Sequence, residues 1–383
     1  MDPSLFSESS TGKLLEISYP GATHAFVPDE LPPNWSIPIR LWPLVVEARA
    51  AISSLNGTGK LLPNPQLLLT PLQYREAQLS SKLEGTIVHP QQLMLFEMDP
   101  SPEVADDAVK EVSNYMRALS YYTEHKDELP LSLRLIRQLH KILLRNVRGE
   151  GRNPGEFRRV QVQIDKPARF VPPPANHVSP LLWNLEAFIH SEGLQDPLVD
   201  AFIVHYQLEA IHPFRDGNGR IGRLLLALMI SEKCRLDHNW LYMSPFFDAN
   251  KNEYIDRLFC VSTEGDWTGW IEFCLNGVIS QAKDTEKRCD RLLKIYDDFK
   301  ERIHNTGGSH RLNRIAEDLF VTPVVQIPSI ADKFSVTYHT ARSDVERLIK
   351  AGVLAELPGQ GIRTFISSEI FEVIFEPIDS LVS

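Results

Sequence analysis

The chain has 383 residues, of which 43% are hydrophobic and 23% charged, and its formal net charge is −10. This length predicts two or three domains, and the composition is that of a globular protein rather than a disordered one. An acidic chain does not attract nucleic acid or anionic membranes through its long-range field. No secretory signal is found in residues 1–10, and the longest apolar block, 224–230, is too short to span a bilayer. We therefore expect a cytoplasmic protein without a membrane partner.

The first 60 residues are rich in Pro, Gly and Ser and are predicted to be irregular, apart from one helix over 39–55. Segment 70–83 is polar and compatible with a helix, and it ends at Glu84-Gly85. Apolar residues at three- and four-residue spacing predict helices over 104–124 and 132–147. Further helices are predicted over 179–190, 197–211, 221–233, 251–263 and 267–299. The helix over 221–233 begins apolar on nearly every side, so we expect it to lie buried at the centre of the molecule.

One β-hairpin is predicted within the helical region. Residues 160–164 alternate strictly between apolar and polar, as a half-buried strand does, and 168–171 can return antiparallel after a turn at 165–167. A lone hairpin is only marginally stable. Two interpretations stay open at this point, a decorative loop and a segment with a function of its own.

From about residue 310 a separate unit is predicted. Segments 329–334 and 340–351 indicate helix, turn and helix, and segments 352–357 and 362–366 indicate a two-stranded wing. Residues 311–383 contain seven basic and ten acidic side chains. Because DNA-binding domains are usually basic, we expect a protein-contact or dimerising role in preference to DNA binding.

The densest chemistry lies in the stretch His212 to Arg223, which reads His-Pro-Phe-Arg-Asp-Gly-Asn-Gly-Arg-Ile-Gly-Arg. Two close glycines where a helix begins predict a concave nest of backbone amides that binds phosphate oxygens. Arg220 and Arg223 are three residues apart, so both can reach a polyphosphate, and Asp216 is placed to hold a divalent cation. His212 is close enough to act as a general base on a hydroxyl. This combination predicts nucleotidyl or phosphoryl transfer.

A di-iron site is the competing chemistry for the same region. Glu209-x-x-His212 matches half of a carboxylate-bridged di-iron pattern, and Glu301-x-x-His304 offers a second half. The second pair has polar flanks beside the glycines at 307–308, and His212 lies at a helix end rather than within a helix. We therefore set the di-iron interpretation aside.

The stretch from His212 to Arg223 matches at every position the signature of the Fic family (filamentation induced by cyclic AMP), His-x-Phe-x-Asp/Glu-Gly-Asn-Gly-Arg-x-x-Arg. Segment 155–171 also resembles the family's flap hairpin. The resemblance implies a mainly α fold, with a Fic-type helical-bundle core, a small β-hairpin flap and a C-terminal winged-helix domain. The expected domains are an N-terminal region 1–103 with an inhibitory helix at about 70–85, a catalytic core 104–300 and a winged helix-turn-helix domain 301–383.

The resemblance implies an enzyme that transfers AMP from ATP, with Mg²⁺, to Ser, Thr or Tyr hydroxyls of target proteins. His212 would be the base, Asp216 the Mg²⁺ ligand and Phe214 a buried anchor of the loop. The residues implied to bind ATP are Gly217, Asn218, Gly219, Arg220, Ile221, Gly222 and Arg223, with Asn250 and Tyr254 as candidates for the adenine pocket. Gly219 favours AMP transfer over phosphorylation, because kinases of the same fold carry Lys at that position.

The segment Ser80-Ser81-Lys82-Leu83-Glu84-Gly85 resembles the family's inhibitory motif. Ser80 and Glu84 are four residues apart and so lie on one helical face. The resemblance implies that the Glu84 carboxylate pairs with Arg223 in place of the γ-phosphate and holds the enzyme in an autoinhibited state.

Partners follow from the same resemblance. The flap at 157–171 is expected to dock an extended segment of the target protein. Homodimers are common in the family, and the acidic composition neither supports nor opposes one here. Two alternative functions remain, removal of AMP from modified targets by the same site and a DNA-binding regulator that senses ATP. The intact His212 favours an enzyme over a sensor, since a sensor needs no base.

Overall fold

The structure is a computed structural model. The residues that it describes are 1–60, 65–98, 106–126, 128–147, 150–164, 169–191, 196–307, 309–358 and 362–376. The predicted boundary at 103/104, the predicted turn at 165–167 and the tip of the predicted wing at 359–361 lie outside these residues.

Helices dominate the described part of the chain, and the strands are few and short. The helices are α1 (Trp42–Lys60), α2 (Gln66–Leu83), α3 (Pro90–Met98), α4 (Asp107–His125), α5 (Leu133–Leu143), α6 (Ala175–His190), α7 (Pro197–Ile211), α8 (Asn218–Lys233), α9 (Ser244–Ala249), α10 (Lys251–Glu264), α11 (Trp267–Asn305), α12 (His310–Val321), α13 (Ile327–Phe334), α14 (Tyr338–Lys350) and α15 (Ser368–Phe375). The strands are β1 (Gly12–Tyr19), β2 (Ala22–Pro28), β3 (Val324–Gln326), β4 (Ala355–Leu357) and β5 (Thr364–Ile366). The predicted mainly helical fold is confirmed.

Helices α7 and α8 form the centre of the bundle, and nearly all of their side chains are buried. The prediction that the helix after the motif is central is thereby confirmed. α7 begins where the Asp196 side chain accepts a hydrogen bond from the Leu198 amide, with Pro197 in the first helical position. Both features favour a helix start, since Asp satisfies a free amide and Pro lacks one.

Helix α2 lies between the centre of the bundle and the C-terminal unit. It contacts α4, α8 and α9 on one side and α12 and α15 on the other. Most of its side chains are therefore enclosed by other helices, including Ser80 near its C-terminal end. The segment that resembles an inhibitory motif is thus built into the molecule and is not a loose extension.

The N-terminal region is not irregular, contrary to the prediction. β1 and β2 form an antiparallel hairpin around Pro20-Gly21, and Gly21 has a φ of +81°. Six of the seven residues of β2 are at least partly buried. Burial on both faces removes the polar–apolar alternation that marks a half-exposed strand. The Pro-Gly pair was the available turn signal.

The predicted flap strands are also different in the structure. Residues 160–163 carry no regular strand, and among the described flap residues one antiparallel bridge joins Ile164 to Phe170. Nor does this hairpin stand alone, because the amide of Phe26 in β2 donates to the Val171 carbonyl oxygen at 2.8 Å. A neighbouring strand therefore supplies part of the pairing that an isolated hairpin lacks.

The C-terminal unit contains the predicted helix, turn and helix as α13 and α14. The predicted wing strands are present but shorter, as β4 and β5, and β3 completes an antiparallel sheet in the order β3-β5-β4. The sequence patterns did not predict α12, α15 or β3. Helix α11 runs without interruption to Asn305, through the domain boundary predicted at 300.

Membrane insertion finds no support in the helices. Within the described ranges, none combines the length and the apolar content needed to cross a bilayer.

Candidate active site

A tight loop joins the two central helices and shapes the site. α7 ends at His212, whose backbone is left-handed (φ 49°, ψ 62°), and α8 begins after Gly217, which is also left-handed (φ 74°). Glycine adopts this conformation without steric cost, whereas His212 is held in it by its surroundings. The two reversals bring the histidine beside the N-terminus of α8.

Phe214 and Asn218 lock the middle of this loop. The Asn218 side chain accepts from the Phe214 amide at 2.8 Å and donates to the Phe214 carbonyl oxygen at 3.0 Å. Phe214 is fully buried, so the predicted anchor lies where it was expected. These two bonds fix the orientation of the Asn218 side chain against the loop.

His140 in α5 packs against this loop and stabilises it. The sequence patterns did not identify this residue. Its ring stacks on Phe214 with centroids 3.7 Å apart. Nδ1 accepts from the Gly155 amide at 2.8 Å, so Nε2 carries the proton and donates to the Asp216 carbonyl oxygen at 2.9 Å. Burial lowers the pKa of His140 to about 4, which keeps the ring neutral and this pair of bonds intact.

Arg158 is a second supporting residue that sequence reasoning missed. Its Nε donates to the His212 carbonyl oxygen at 2.9 Å, and its other nitrogens donate to the carbonyl oxygens of Val160, Pro173 and Ile211. The side chain is almost completely buried, and burial lowers its pKa to about 10. Arg158 thereby ties the base of the flap to the turn that carries His212.

His212 is set up as a neutral imidazole. Burial, followed by the positive charge of Arg158, lowers its pKa to about 4. Its Nδ1 is buried and has no hydrogen-bond partner among the described residues. A neutral ring that lies at a cleft is ready to accept a proton at neutral pH.

The start of α8 has the geometry of an anion-binding site. The first amides of a helix have no partner within it, and the helix dipole adds positive potential at that end. Gly219 lies in this first turn, and a Cβ there would stand 2.1 Å from Oε1 of Glu84. A glycine is therefore required if any anionic oxygen is to come so close to the helix start.

Arg223 is held by the residues of the predicted inhibitory motif. Its Nη2 lies 2.8 Å from Glu84 Oε1 and donates to the Ser80 carbonyl oxygen at 2.7 Å, while its Nε donates to Ser80 Oγ at 3.0 Å. Burial alone would raise the pKa of Glu84, but the positive charge of Arg223 outweighs it and leaves that pKa below its ordinary value. Ser80, Glu84 and Arg223 are thus brought together, as the resemblance to the inhibitory motif implied.

Arg220 is paired in a different way. Its Nη1 donates to Oε2 of Glu111 in α4 at 3.1 Å, and its Nη2 lies 3.8 Å from Oδ1 of Asp216. Glu111 also accepts from Thr86 Oγ1 at 2.8 Å, which links it to the chain just beyond Glu84. No pattern in the sequence pointed to Glu111, since it lies in a helix more than a hundred residues upstream.

A cleft of about 450 Å³ opens at these residues. One part of it is polar and contains Glu84, His212, Gly219 and Arg223, and the other is largely apolar. The apolar part includes Ile164 and Phe170 from the flap and Ile255, Leu258 and Phe259 from α10. A cleft with one charged end and one apolar end suits a ligand with a phosphate chain and a flat apolar ring.

Two of the predicted site residues differ in their placement. Tyr254 lines the cleft, but its hydroxyl lies 2.9 Å from His205 Nε2 and its ring stacks on Phe247, so it is also part of the core. The Asn250 side chain donates to the Phe246 carbonyl oxygen at 2.9 Å. Asn250 is not among the residues that line the cleft.

The remaining residues of the predicted set, Ile221 and Gly222, lie in the interior of α8. Ile221 is fully buried. Gly222 gives space to Glu209, because a Cβ at this position would lie 2.2 Å from Glu209 Oε1. Glu209 lines the cleft, and burial raises its pKa to about 7.

Asp216 is the candidate ligand for a divalent cation. Oδ1 accepts from the Gly217 amide at 2.8 Å, and Oδ2 lies 3.0 Å from Arg152 Nη1. Mg²⁺ is commonly held by one or two carboxylates together with substrate phosphates. A lone, partly exposed carboxylate beside an anion-binding helix start fits that mode. In the described part of the chain, no group of three or more His, Cys, Asp or Glu side chains is arranged around a metal position.

Comparison with known proteins matches two segments of this chain to one family. The sequence model described as "Fic/DOC family N-terminal" matches residues 42–124, and the one described as "Fic/DOC family" matches residues 130–230. Curated relatives named "Protein adenylyltransferase Fic" include those of Drosophila grimshawi, 36% identical over 178 residues, and Culex quinquefasciatus, 34% identical over 145 residues. These alignments cover 46% and 37% of this chain and only 33% and 27% of the relatives.

Solved structures show the likeness at the level of the fold. A Fic family protein from Desulfovibrio desulfuricans aligns with a TM-score of 0.56 and 19% identity, over 87% of this chain and 98% of that one. Fic-1 from C. elegans aligns with a TM-score of 0.51 and 21% identity, over 67% of this chain and 76% of that one. With the two sequence matches and the complete motif in the loop between α7 and α8, residues 42–124 and 130–230 of this chain belong to the Fic/DOC family.

Proposed function

We propose that this protein transfers AMP from ATP to a hydroxyl group of a target protein. The observation that carries the proposal is the placement of a neutral His212 in the same cleft as Gly219 and Arg223, at the start of α8. This arrangement combines a base with an anion-binding site, as nucleotidyl transfer requires. The name shared by the fly and mosquito relatives supports the same reaction.

In the proposed reaction, the target hydroxyl oxygen attacks the α-phosphorus and the bond between that phosphorus and the bridging oxygen to the β-phosphate breaks. His212 takes the proton of the hydroxyl, and pyrophosphate leaves. The backbone amides of Gly217, Asn218 and Gly219 bind the phosphate oxygens, with Arg220 and Arg223 on the outer phosphates. Mg²⁺, when held by Asp216, supplies positive charge that stabilises the leaving pyrophosphate.

The nucleoside takes the apolar part of the cleft in this proposal. Ile255, Leu258 and Phe259 offer an apolar wall for the base, and Phe170 lies on the flap side. Tyr254 stays a candidate for the adenine pocket. Asn250 does not line the cleft, and its side-chain amide is bonded to the Phe246 carbonyl oxygen, so we assign contact with the base to the apolar wall.

Glu84 acts as a brake on this reaction. Arg223 is occupied by Glu84 and Ser80, so it is not free to orient the γ-phosphate. ATP bound beside this pair is expected to hold its α-phosphate out of line for attack. A displacement of about an ångström is enough to slow a reaction roughly a hundredfold.

We also propose two surfaces that contact partner proteins. The flap at 157–171 would dock an extended target segment, and the C-terminal unit, with its winged-helix order of elements and acidic excess, would contact protein rather than DNA. Lack of any mobility shift at low salt is the expected result for the full chain with DNA. A clear shift would favour the ATP-sensing regulator instead.

The test of the main proposal is a labelling experiment with purified full-length protein, a cell lysate and Mg²⁺. Label from [α-³²P]ATP should appear on protein with the Glu84→Gly variant and should be absent with Glu84→Gly/His212→Ala. The parallel reaction with [γ-³²P]ATP should label protein equally with both variants, because the kinases of the lysate act in both. Additional γ label that depends on His212 would show a kinase, and no His212-dependent label in either reaction would contradict nucleotidyl transfer.

A further inference from the structure

The N-terminal arm, defined here as Phe6–Pro28, lies against both walls of the proposed nucleoside cleft. It precedes the first residue of the family match, which begins at 42. One wall of the cleft belongs to α10 and the other to the flap, and these two segments are far apart in the sequence. A segment that touches both can set the distance between them.

The first half of the arm is hydrogen-bonded to α10 and α7. The Ser7 amide donates to the Thr263 carbonyl oxygen at 2.8 Å. Thr11 Oγ1 donates to the Val261 carbonyl oxygen at 2.9 Å and lies 3.0 Å from the Tyr206 hydroxyl. That hydroxyl lies 2.9 Å from Ser262 Oγ, and both of these residues line the cleft. Thr11 therefore stabilises the positions of Tyr206 and Ser262 in the cleft lining through hydrogen bonds.

The second half of the arm holds the flap. The Phe26 amide donates to the Val171 carbonyl oxygen at 2.8 Å, as strand pairing requires. The Phe26 ring lies 5.6 Å from the ring of Phe170, which lines the cleft. The flap, whose described residues are paired by the bridge between Ile164 and Phe170, thus gains support from β2.

Phe6 joins the two halves. Its ring lies 5.4 Å from Phe26 on the flap side and 6.2 Å from Phe259 on the α10 side. The Arg169 guanidinium of the flap lies 4.6 Å from the centroid of the Phe259 ring and pairs with Asp256 at 2.5 Å. The flap and α10 are therefore connected directly by Arg169 as well as through Phe6.

We propose that the N-terminal arm fixes the spacing of the two walls that receive the nucleoside, which makes Phe6 and Thr11 positioning residues for ATP. The proposal rests on the proposed function. A pocket that is held open at the right width loses less entropy when its ligand binds, so loosening it weakens binding. The phosphate site at the start of α8 has its own supports in His140, Asn218 and Arg158 and does not depend on the arm.

The test compares two ligands in three variants, all made in the Glu84→Gly protein so that Arg223 is free. The variants are Phe6→Ala, Thr11→Val and the control Leu5→Ala, whose side chain is 52% exposed and precedes the arm by one residue. Calorimetry with Mg²⁺ measures the Kd for ATP and for inorganic tripolyphosphate. Phe6→Ala and Thr11→Val should weaken ATP binding about five- to tenfold, the range of one or two lost contacts, and change tripolyphosphate binding less than about twofold.

Kinetics give a second readout. The same two variants should raise KM for ATP by a similar factor while kcat stays within about twofold, and Leu5→Ala should match its parent. Equal weakening of both ligands, or unchanged ATP binding in both variants with an unchanged thermal midpoint, would overturn the proposal. If the Glu84→Gly parent binds tripolyphosphate but not ATP, the proposed function itself fails, and the inference falls with it.

Discussion

Arg220 and Arg223 lie one turn apart on α8, and both are almost completely buried and paired with a glutamate, Glu111 within α4 and Glu84 just beyond the end of α2. Their partners differ. The side chain of Glu111, which holds Arg220, is 4% exposed, whereas that of Glu84, which holds Arg223, is 38% exposed and faces the cleft. The ion pair of Arg220 is therefore closed to solvent, whereas the ion pair of Arg223 is open to a ligand in the cleft.

This difference decides what each pair can do. Removing one partner of a fully buried ion pair leaves an uncompensated charge, at a cost of several kcal/mol. The pair between Arg220 and Glu111 is consequently a fixed part of the fold. A carboxylate at the edge of a cleft can move into water, and a phosphate can replace it at the arginine. We infer that Arg220 stays in place and that Arg223 changes partners.

The largest expected effect is the release of Arg223. Glu84→Gly should raise the initial rate of AMP transfer about a hundredfold, because the γ-phosphate can then take the place of the carboxylate. Glu84→Gln, which keeps the size but not the charge, should give an intermediate rate. Radiolabel incorporation from [α-³²P]ATP into protein measures both. An unchanged rate in Glu84→Gly would make the two ion pairs functionally alike and would remove the basis of the comparison.

For the ion pair between Arg220 and Glu111, the substitution Glu111→Gln should lower the free energy of unfolding and should not raise the rate of AMP transfer. Arg220 would keep its charge while its nearest carboxylate becomes neutral, and we expect a loss of about 2 kcal/mol in the free energy of unfolding. Asp107→Asn is the matched control, since it breaks an exposed ion pair with Lys110 in the same helix and should cost less than about 0.5 kcal/mol. Urea unfolding followed by circular dichroism measures both. Activation by Glu111→Gln would show that this pair is a brake as well.

The base lies in the same cleft as Glu84 and Arg223, and its pKa gives a third test. Burial, and after it Arg158, lowers the pKa of His212 to about 4, while the charge of Glu84 acts in the opposite direction. The Glu84→Gly variant should therefore keep its rate at saturating ATP from pH 7.5 to pH 5.5. A base with the ordinary pKa of about 6.5 would lose roughly tenfold over that range. ATP affinity measured at both pH values separates binding from proton transfer.

The same pKa has a consequence for stability. The unfolded chain binds a proton at His212 near pH 6.5, but the folded protein does so only near pH 4. Between these values the unfolded state holds more protons, so the free energy of unfolding falls as the pH is lowered through this window. His212→Asn should flatten that part of the stability profile.

The comparison also shows how far the sequence could lead. The loop from His212 to Arg223 was readable because its base, its glycines and its arginines are contiguous, and Glu84 was found through a second contiguous motif. Glu111 and Arg158 were not readable, because each reaches the loop through the tertiary fold. Local patterns record what neighbours in the chain do, whereas these contacts depend on how separate elements pack.

The helices and strands likewise divide into those that local sequence patterns predict and those that they do not. Helices such as α4 and α5 were predicted from apolar spacing, which is a local property. The β1–β2 hairpin was missed because β2 is buried on both faces by the flap and the bundle, so its sequence shows no alternation. The short helix α9 was missed for lack of length, since six residues contain too few turns to show a period.

The smallest expected effect concerns Ser80, which strengthens the hold on Arg223. Ser80→Ala removes the hydrogen bond from Arg223 Nε but leaves the bonds to the Ser80 carbonyl oxygen and to Glu84. One such bond contributes about 1 kcal/mol, so the rate of AMP transfer should rise about three- to fivefold. Ser81→Ala is the matched control, because Ser81 Oγ is buried next to it without a hydrogen-bond partner among the described residues. If both alanine variants are activated equally, the effect belongs to helix α2 as a whole and not to the contact with Arg223.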